Sequence, residues 1–292
     1  MWPFDEIDRL ERAEALDRAA APVRRTVQRL LSGRRPVQDA LHGVWLGHPL
    51  HPVLVQATLG SLLSASLVDL VGGKRSVSSG LIATGLVLTP PTVAAGAADW
   101  SASNPDQQRV GLVHAATNGV AVACYAAALA QRARGRSGRV LSLLGAAVST
   151  AGATLGGHLA YHQGLGANHT DRVRDLAPQD WRPLGSLADL PDGTPVRRDA
   201  GDVPVFVLRR GGEVTVLADR CPHLDGPLSE GELAGTDGDV RIVCPWHGSE
   251  FRLDDGCVVH GPATAAVPRF ATRVVDGAVQ ARIVESAGAP TL

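Results

Sequence analysis

Four apolar runs between residues 50 and 165 constrain this chain more than anything else in it. Residues 53–71 carry one acid, Asp69, and no base. Residues 77–98 are apolar or small apart from the pair Pro90-Pro91. Residues 110–130 and 140–160 contain no Asp, Glu, Lys or Arg. A helix needs about 20 residues to cross ~30 Å of hydrocarbon at ~1.5 Å per residue. Each run meets that length, and the connections at 72–76, 100–109 and 131–139 are short and polar. An alanine-rich soluble bundle is the alternative, but four such runs in succession point to four transmembrane helices. Gly, Ala, Ser and Thr are dense in all four, which suits close helix packing in lipid. Membrane lipid is therefore the first expected partner.

The ionisable residues of these runs are few and placed together. His51 opens the first helix, His114 lies near the start of the third, and His158 and His162 end the fourth, one turn apart. In an up-and-down bundle all four fall near one membrane face. Polar side chains at membrane depth are costly and default to function, and histidines on facing helices are how bundles hold metals. One expectation is thus a second site at His51, His114, His158 and His162, holding haem b or a non-haem metal. The other is that these histidines cap helices and bond between them. The stretches His48-Pro49-Leu50-His51-Pro52, Asp99-Trp100, Gly156-Gly157-His158 and Tyr161-His162-Gln163-Gly164 resemble a family of predicted four-helix bacterial membrane proteins. The resemblance covers roughly residues 44–166 and implies no settled chemistry.

Downstream the composition changes, and two short runs carry the chemistry. Cys221-Pro222-His223 is followed, after twenty residues, by Cys244-Pro245-Trp246-His247-Gly248. Two thiolates and two imidazoles suit a tetrahedral zinc. They also suit a [2Fe–2S] centre with two Cys on one iron and two His on the other. Zinc modules usually pair Cys with Cys and His with His, whereas each half here mixes them. Residues 181–284 resemble the Rieske family: Asp189-Leu190-Pro191-Asp192-Gly193 precedes the loops and Gly231-Glu232-Leu233 lies between them. Phe251-Arg252-Leu253-Asp254-Asp255-Gly256 follows, and Gly261-Pro262-Ala263 matches the family's proline loop.

That resemblance implies an all-β iron–sulfur domain that carries single electrons. Cys221 and Cys244 would hold the inner iron, His223 and His247 the outer, exposed one, with Trp246 and Pro262 shielding the cluster. Gly226 and Trp246 stand where high-potential members have disulfide cysteines, and Phe251 replaces a tyrosine, although Ser249 keeps the serine position. Fewer donors to the cluster sulfurs imply a potential nearer ~−150 mV than ~+300 mV. The pattern is closer to Rieske-type ferredoxins and nitrite reductase small subunits than to quinol-oxidising complexes. Cys124 and Cys257 occupy neither ligand nor disulfide positions, and His260 reads as a turn residue.

The fold class expected is thus multi-domain: an N-terminal four-helix transmembrane bundle followed by an all-β Rieske domain. The boundaries are an Arg-rich amphipathic segment at 1–43, the bundle at 44–165, a linker at 166–180, the Rieske domain at 181–284 and a tail at 285–292. The segment at 5–33 reads as a surface helix broken at Pro22. Strands are expected at 203–209, 213–218, 240–243 and 278–284. A net charge of −1 implies no bulk attraction to nucleic acid. Arginines flank both short loops and also fill the N-terminal tail, so the positive-inside rule is divided. The missing export signal favours a cytoplasmic Rieske domain in the cell membrane. The stretch after the second loop leaves no room for the mononuclear-iron domain of a complete oxygenase. The expected function is a membrane-anchored electron carrier with an unidentified redox partner protein. The rival is a membrane enzyme whose histidine cluster is the active site, fed by the Rieske domain.

Overall fold

The structure, a computed structural model, describes residues 3–236 and 238–284; the expected tail at 285–292 lies outside them. The chain divides into two compact units. One runs to Gly43 and from Pro49 to Gly166; the other takes Val44–His48 and everything from Ala167 on.

The first unit is helical. Three helices, α1 (Pro3–Glu11), α2 (Asp17–Leu31) and α3 (Arg35–His42), precede the four long ones. Those are α4 (Leu50–Leu70), α5 (Arg75–Ser101), α6 (Pro105–Ala133) and α7 (Arg139–Gly157), the last continued by a π-helical turn, His158–His162. All four are long and apolar enough to span a membrane, and fewer than a third of the residues in each apolar window are buried in the protein. Leu67, Leu70, Val87, Val93, Val120 and Val140 point outward, exposed. An apolar exterior over a small-residue interior is the arrangement a bilayer favours, since lipid covers the outer face. Pro105 and the capping box of Asn104 and Gln107 start α6, with the Asn104 N–H donating to Gln107 Oε1 at 2.9 Å.

α2 differs from its sequence expectation. It runs unbroken through Pro22, and the chain instead turns between α1 and α2. Proline removes one N–H bond inside the helix, and α2 makes up that loss by packing on α5 and α6.

In the bundle, α4 packs on α5 and α7, and α6 packs on the same two, so α4 and α6 are diagonal. The hairpins α4–α5 and α6–α7 repeat one another. His51 Nδ1 lies 2.9 Å from the Thr92 carbonyl, and its ring lies against Gly96, where a Cβ would approach to 2.7 Å. His114 Nδ1 lies 2.9 Å from the Gly152 carbonyl, and its ring lies against Gly156, where a Cβ would approach to 3.0 Å. Leu62 fills the notch at Gly85 as Tyr125 fills the one at Gly145. Equal sequence separations divide His51 from His114, Leu62 from Tyr125 and Asp69 from Arg132. The lone acid of the first run thus meets its equivalent on the diagonal helix: Asp69 and Arg132 form a buried ion pair. Ser78 accepts from Arg132 Nη1 at 2.7 Å. Beside it Ser66 bonds to the Tyr125 hydroxyl at 3.0 Å and to the Ser142 carbonyl at 2.9 Å.

The second unit is β apart from the short α8 (Val173–Leu176) and three-residue 3-10 turns. Its strands are β1 (Arg182–Ser186), β2 (Val196–Ala200), β3 (Val203–Arg210), β4 (Glu213–Ala218), β5 (Glu232–Ala234), β6 (Arg241–Val243), β7 (Glu250–Arg252), β8 (Val258–His260), β9 (Arg269–Val275) and β10 (Ala278–Ile283). They form a six-stranded antiparallel sheet, β1-β10-β9-β4-β3-β2, and a four-stranded one, β5-β6-β7-β8. Phe206, Leu208, Leu217, Phe251, Leu253 and Phe270 fill the core. The stretch expected as a linker differs too. Val173 and Ala177, one helical turn apart, are buried in that core, and the His169 N–H donates to the Pro222 carbonyl at 3.0 Å.

Candidate functional site

The four sequence-designated ligands sit on two loops of the second unit. Cys221 and His223 follow β4; Cys244 and His247 join β6 to β7. The loops share one backbone design. The Cys221 N–H donates to the Gly226 carbonyl at 2.9 Å, and the Cys221 carbonyl accepts from the Asp225 N–H at 2.9 Å. The Cys244 N–H donates to the Ser249 carbonyl at 2.8 Å and its carbonyl accepts from Gly248 at 3.1 Å. The fifth residue of each loop is left-handed, Asp225 at φ 66° and Gly248 at φ 75°. A non-glycine residue there is strained, and Arg220 Nη1 holds the Asp225 carboxylate at 2.6 Å.

Neighbouring groups hold the loops closed. Asp219 accepts from the Ser229 N–H at 2.6 Å and the Ser229 hydroxyl at 2.8 Å, bridging the base of the first loop. Ser249 Oγ accepts from the Ala263 N–H at 3.0 Å, tying the Gly261-Pro262-Ala263 turn to the second loop. Gly226 lies so close to the second loop that a Cβ on it would meet Cys244 Sγ at 2.8 Å and the Trp246 ring at 3.2 Å. A side chain there would require the second loop's Cys244 and Trp246 to shift. Trp246 itself is 52% exposed.

The donors converge. Cys221 and Cys244 are buried, and their sulfurs are in hydrogen-bond contact. That contact lowers the Cys244 thiol to about 7, helped by the Trp246 and His247 N–H groups, and pushes the Cys221 thiol up, with burial adding to the rise. Amide donors aimed at sulfur favour thiolate, the form that ligates metal. His223 is buried and His247 half-buried; their rings meet edge to face, centroids 5.0 Å apart at 87°. One pair of adjacent thiols and one pair of adjacent imidazoles, drawn from the same two loops, fit a cluster with a sulfur-held and a nitrogen-held iron. The remaining cysteines lie elsewhere and no disulfide is present among the described residues. Phe251 is fully buried on β7, and His260 ends β8.

The other designated histidines divide. His51 and His114 each engage a carbonyl of the neighbouring helix, as above. His158 and His162 come together on the π-turn, rings stacked with centroids 4.5 Å apart. Two residues not singled out by sequence join them: Asp8 and Glu11 of α1. His42, also not singled out, is buried and pairs with Asp99 at 2.8 Å.

Comparison with known proteins agrees with both units. Residues 180–271 match the family described as Rieske [2Fe-2S] domain, and residues 47–169 match Predicted membrane protein (DUF2231). The anthranilate 1,2-dioxygenase ferredoxin subunit of Burkholderia cepacia is 34% identical over 36% of this chain and 93% of its own. The 3-phenylpropionate/cinnamic acid dioxygenase ferredoxin subunit of Escherichia coli K12 is 33% identical over 31% of this chain and 82% of its own. Among solved structures, the ferredoxin of carbazole 1,9a-dioxygenase from Nocardioides aromaticivorans is 23% identical, covers 35% of this chain and 95% of its own, and has a TM-score of 0.33. The cofactor indicated is a [2Fe-2S] cluster. This chain belongs to the Rieske [2Fe-2S] family through its C-terminal unit, and ahead of that unit it carries a stretch that matches Predicted membrane protein (DUF2231).

Proposed function

We propose that this protein is a membrane-anchored one-electron carrier of relatively low potential, in which Cys221 and Cys244 hold one iron and His223 and His247 the other. The observation that carries the reading is that two matched loops bring their thiols into one pair and their imidazoles into another. When bound, the cluster supplies reversible uptake of a single electron. The chain does the rest. The loops fix the donors before assembly, the amide N–H groups around Cys244 stabilise its negative charge, and Trp246 and the proline turn limit water.

Electrons enter and leave at the imidazole side, because the thiols are the more deeply buried pair. The redox partner is a separate protein. The curated relatives are ferredoxin subunits of dioxygenases, and a partner of that general kind, held near a membrane by α4–α7, fits this chain. The fully buried Phe251, which brings no hydroxyl, supports the low potential.

A reduced-minus-oxidised visible spectrum of detergent-purified full-length protein, followed by a redox titration, tests the reading. Broad bleaching of an iron–sulfur cluster with a midpoint well below the ~+300 mV end of the range is expected. A midpoint above about +200 mV on that scale contradicts the low-potential assignment.

A further inference from the structure

The helical unit holds a metal-ligating cluster of its own. Asp8, Glu11, His158 and His162 each offer one donor atom, and these atoms all lie within 4.8 Å of one another. Donors on one tetrahedral zinc-sized ion, at ~2.0–2.2 Å each, are ~3.3–3.6 Å apart. Small side-chain rotations therefore close the set. We propose that these four residues bind a divalent transition cation, at a site separate from the iron–sulfur centre.

Several independent features point there. His158 is buried, and its Nε2 lies 2.6 Å from Glu11 Oε1, the contact a cation would replace. Gln163 Nε2 donates to the same oxygen at 3.0 Å and so fixes the carboxylate. His158 Nδ1 and Gln163 Oε1 are buried with no protein hydrogen-bond partner among the described residues, polar atoms that a hydrated ion would complete. The π-helical turn, marked by the Gln163 N–H to His158 carbonyl bond at 3.0 Å, brings the two imidazoles face to face. Such turns gather at functional sites.

The acidic side of the site is anchored as firmly. Arg109 Nη1 donates to the Glu11 carbonyl at 2.7 Å, capping the end of α1. Its Nε and Nη2 grip Asp17 at 2.8 and 2.9 Å. Ile7, one residue before Asp8, is buried with Val110, Leu155 and Leu159. α1 is thus seated on α6 and α7 with its carboxylates toward the histidines.

The donor chemistry selects the occupant. Two imidazoles and two carboxylates suit Zn²⁺, Fe²⁺ or Mn²⁺. They do not suit haem, whose two axial ligands approach from opposite faces, because His158 and His162 stack side by side on one turn.

The test uses full-length detergent-purified protein, stripped with a chelator mild enough to leave the iron in place and then equilibrated with Zn²⁺. Zinc and iron are counted in the same sample. One zinc per chain is expected with iron unchanged. Glu11→Gln and the exposed His162→Ala should each weaken zinc binding by at least about tenfold. His51→Asn, which keeps a donor to the Thr92 carbonyl, should not. Helical circular dichroism, recorded on every variant, reports that the helical unit is folded, and the cluster spectrum reports the same of the β unit. No saturable zinc, zinc taken up only as iron is lost, or zinc retained by both site variants would overturn the proposal.

Discussion

In the β unit, Cys221 and His223 are neighbours but one, and their loop is held by bonds within a few residues. In the helical unit, His158 meets Glu11 across 147 positions of sequence. The first arrangement is local: each loop carries its own donors, its own left-handed residue and its own closing hydrogen bonds. The second exists only when α1 lies on α6 and α7. Local clusters survive perturbation of the surrounding fold, whereas assembled ones report on it. The same contrast separates the bonds that stabilise each unit, short backbone bonds around the iron–sulfur loops and one buried ion pair at the end of the bundle.

The largest effect that sharpens this contrast is removal of a thiol. Cys244→Ala should take iron from two per chain to near zero, since each cluster needs both cysteines on one iron. The helical content of the detergent-solubilised protein should not change. Loss of helix together with iron would show that the units do not stand apart.

Next is Asp69→Ala. It strands the Arg132 guanidinium in the bundle, and breaking a buried pair from one side costs about 3–5 kcal/mol. Thermal unfolding followed by helical circular dichroism should move down sharply. The temperature at which the cluster bleaches should stay where it is.

A smaller effect is expected from Asp219→Ala, which leaves the Ser229 N–H and hydroxyl without their acceptor. The loss is about 2 kcal/mol, and the readout is faster bleaching of the cluster on heating. Here the bundle should be the part that does not move.

Much of this contrast could be read in the sequence, for physical reasons. The ligand motifs are contiguous, so residue identity alone marks them. The apolar runs are legible because hydrocarbon thickness fixes their length, and α4–α7 overlie them closely. Strands β3, β4, β6 and β10 also follow their expected positions, since Gly and Asp turns bound them. Strands β5, β7 and β8 have three residues each, too few for an alternating pattern, and the equally short β6 was marked by the Gly238-Asp239 turn before it.

What the sequence hid were the long-range pairings. Nothing local connects Glu11 to His158 or His42 to Asp99. The repeat of the two hairpins is masked because equivalent positions carry different residues: Leu62 against Tyr125, Thr92 against Gly152, Asp69 against Arg132. The His51/His114, Gly85/Gly145 and Gly96/Gly156 pairs keep identity, and these were the available signal. Pro22 misled for a related reason, because packing on α5 and α6 outweighs one missing hydrogen bond.

The smallest expected change is electronic. Phe251→Tyr places a hydroxyl at a fully buried position beside the second loop. If it donates to the cluster or its thiolates it should raise the midpoint by on the order of 50 mV, the equivalent of about 1 kcal/mol for a one-electron couple. A redox titration of the variant beside the parent reads this directly, with iron content as the control.

The most direct test of the central claim is pulsed electron paramagnetic resonance of the reduced full-length protein. Two imidazole nitrogen couplings to the reduced cluster are expected, one from His223 and one from His247, and His247→Ala should abolish the assembled centre while leaving α4–α7 intact. A reduced protein without nitrogen couplings, or one holding a single zinc and no iron at Cys221, His223, Cys244 and His247, would contradict the account.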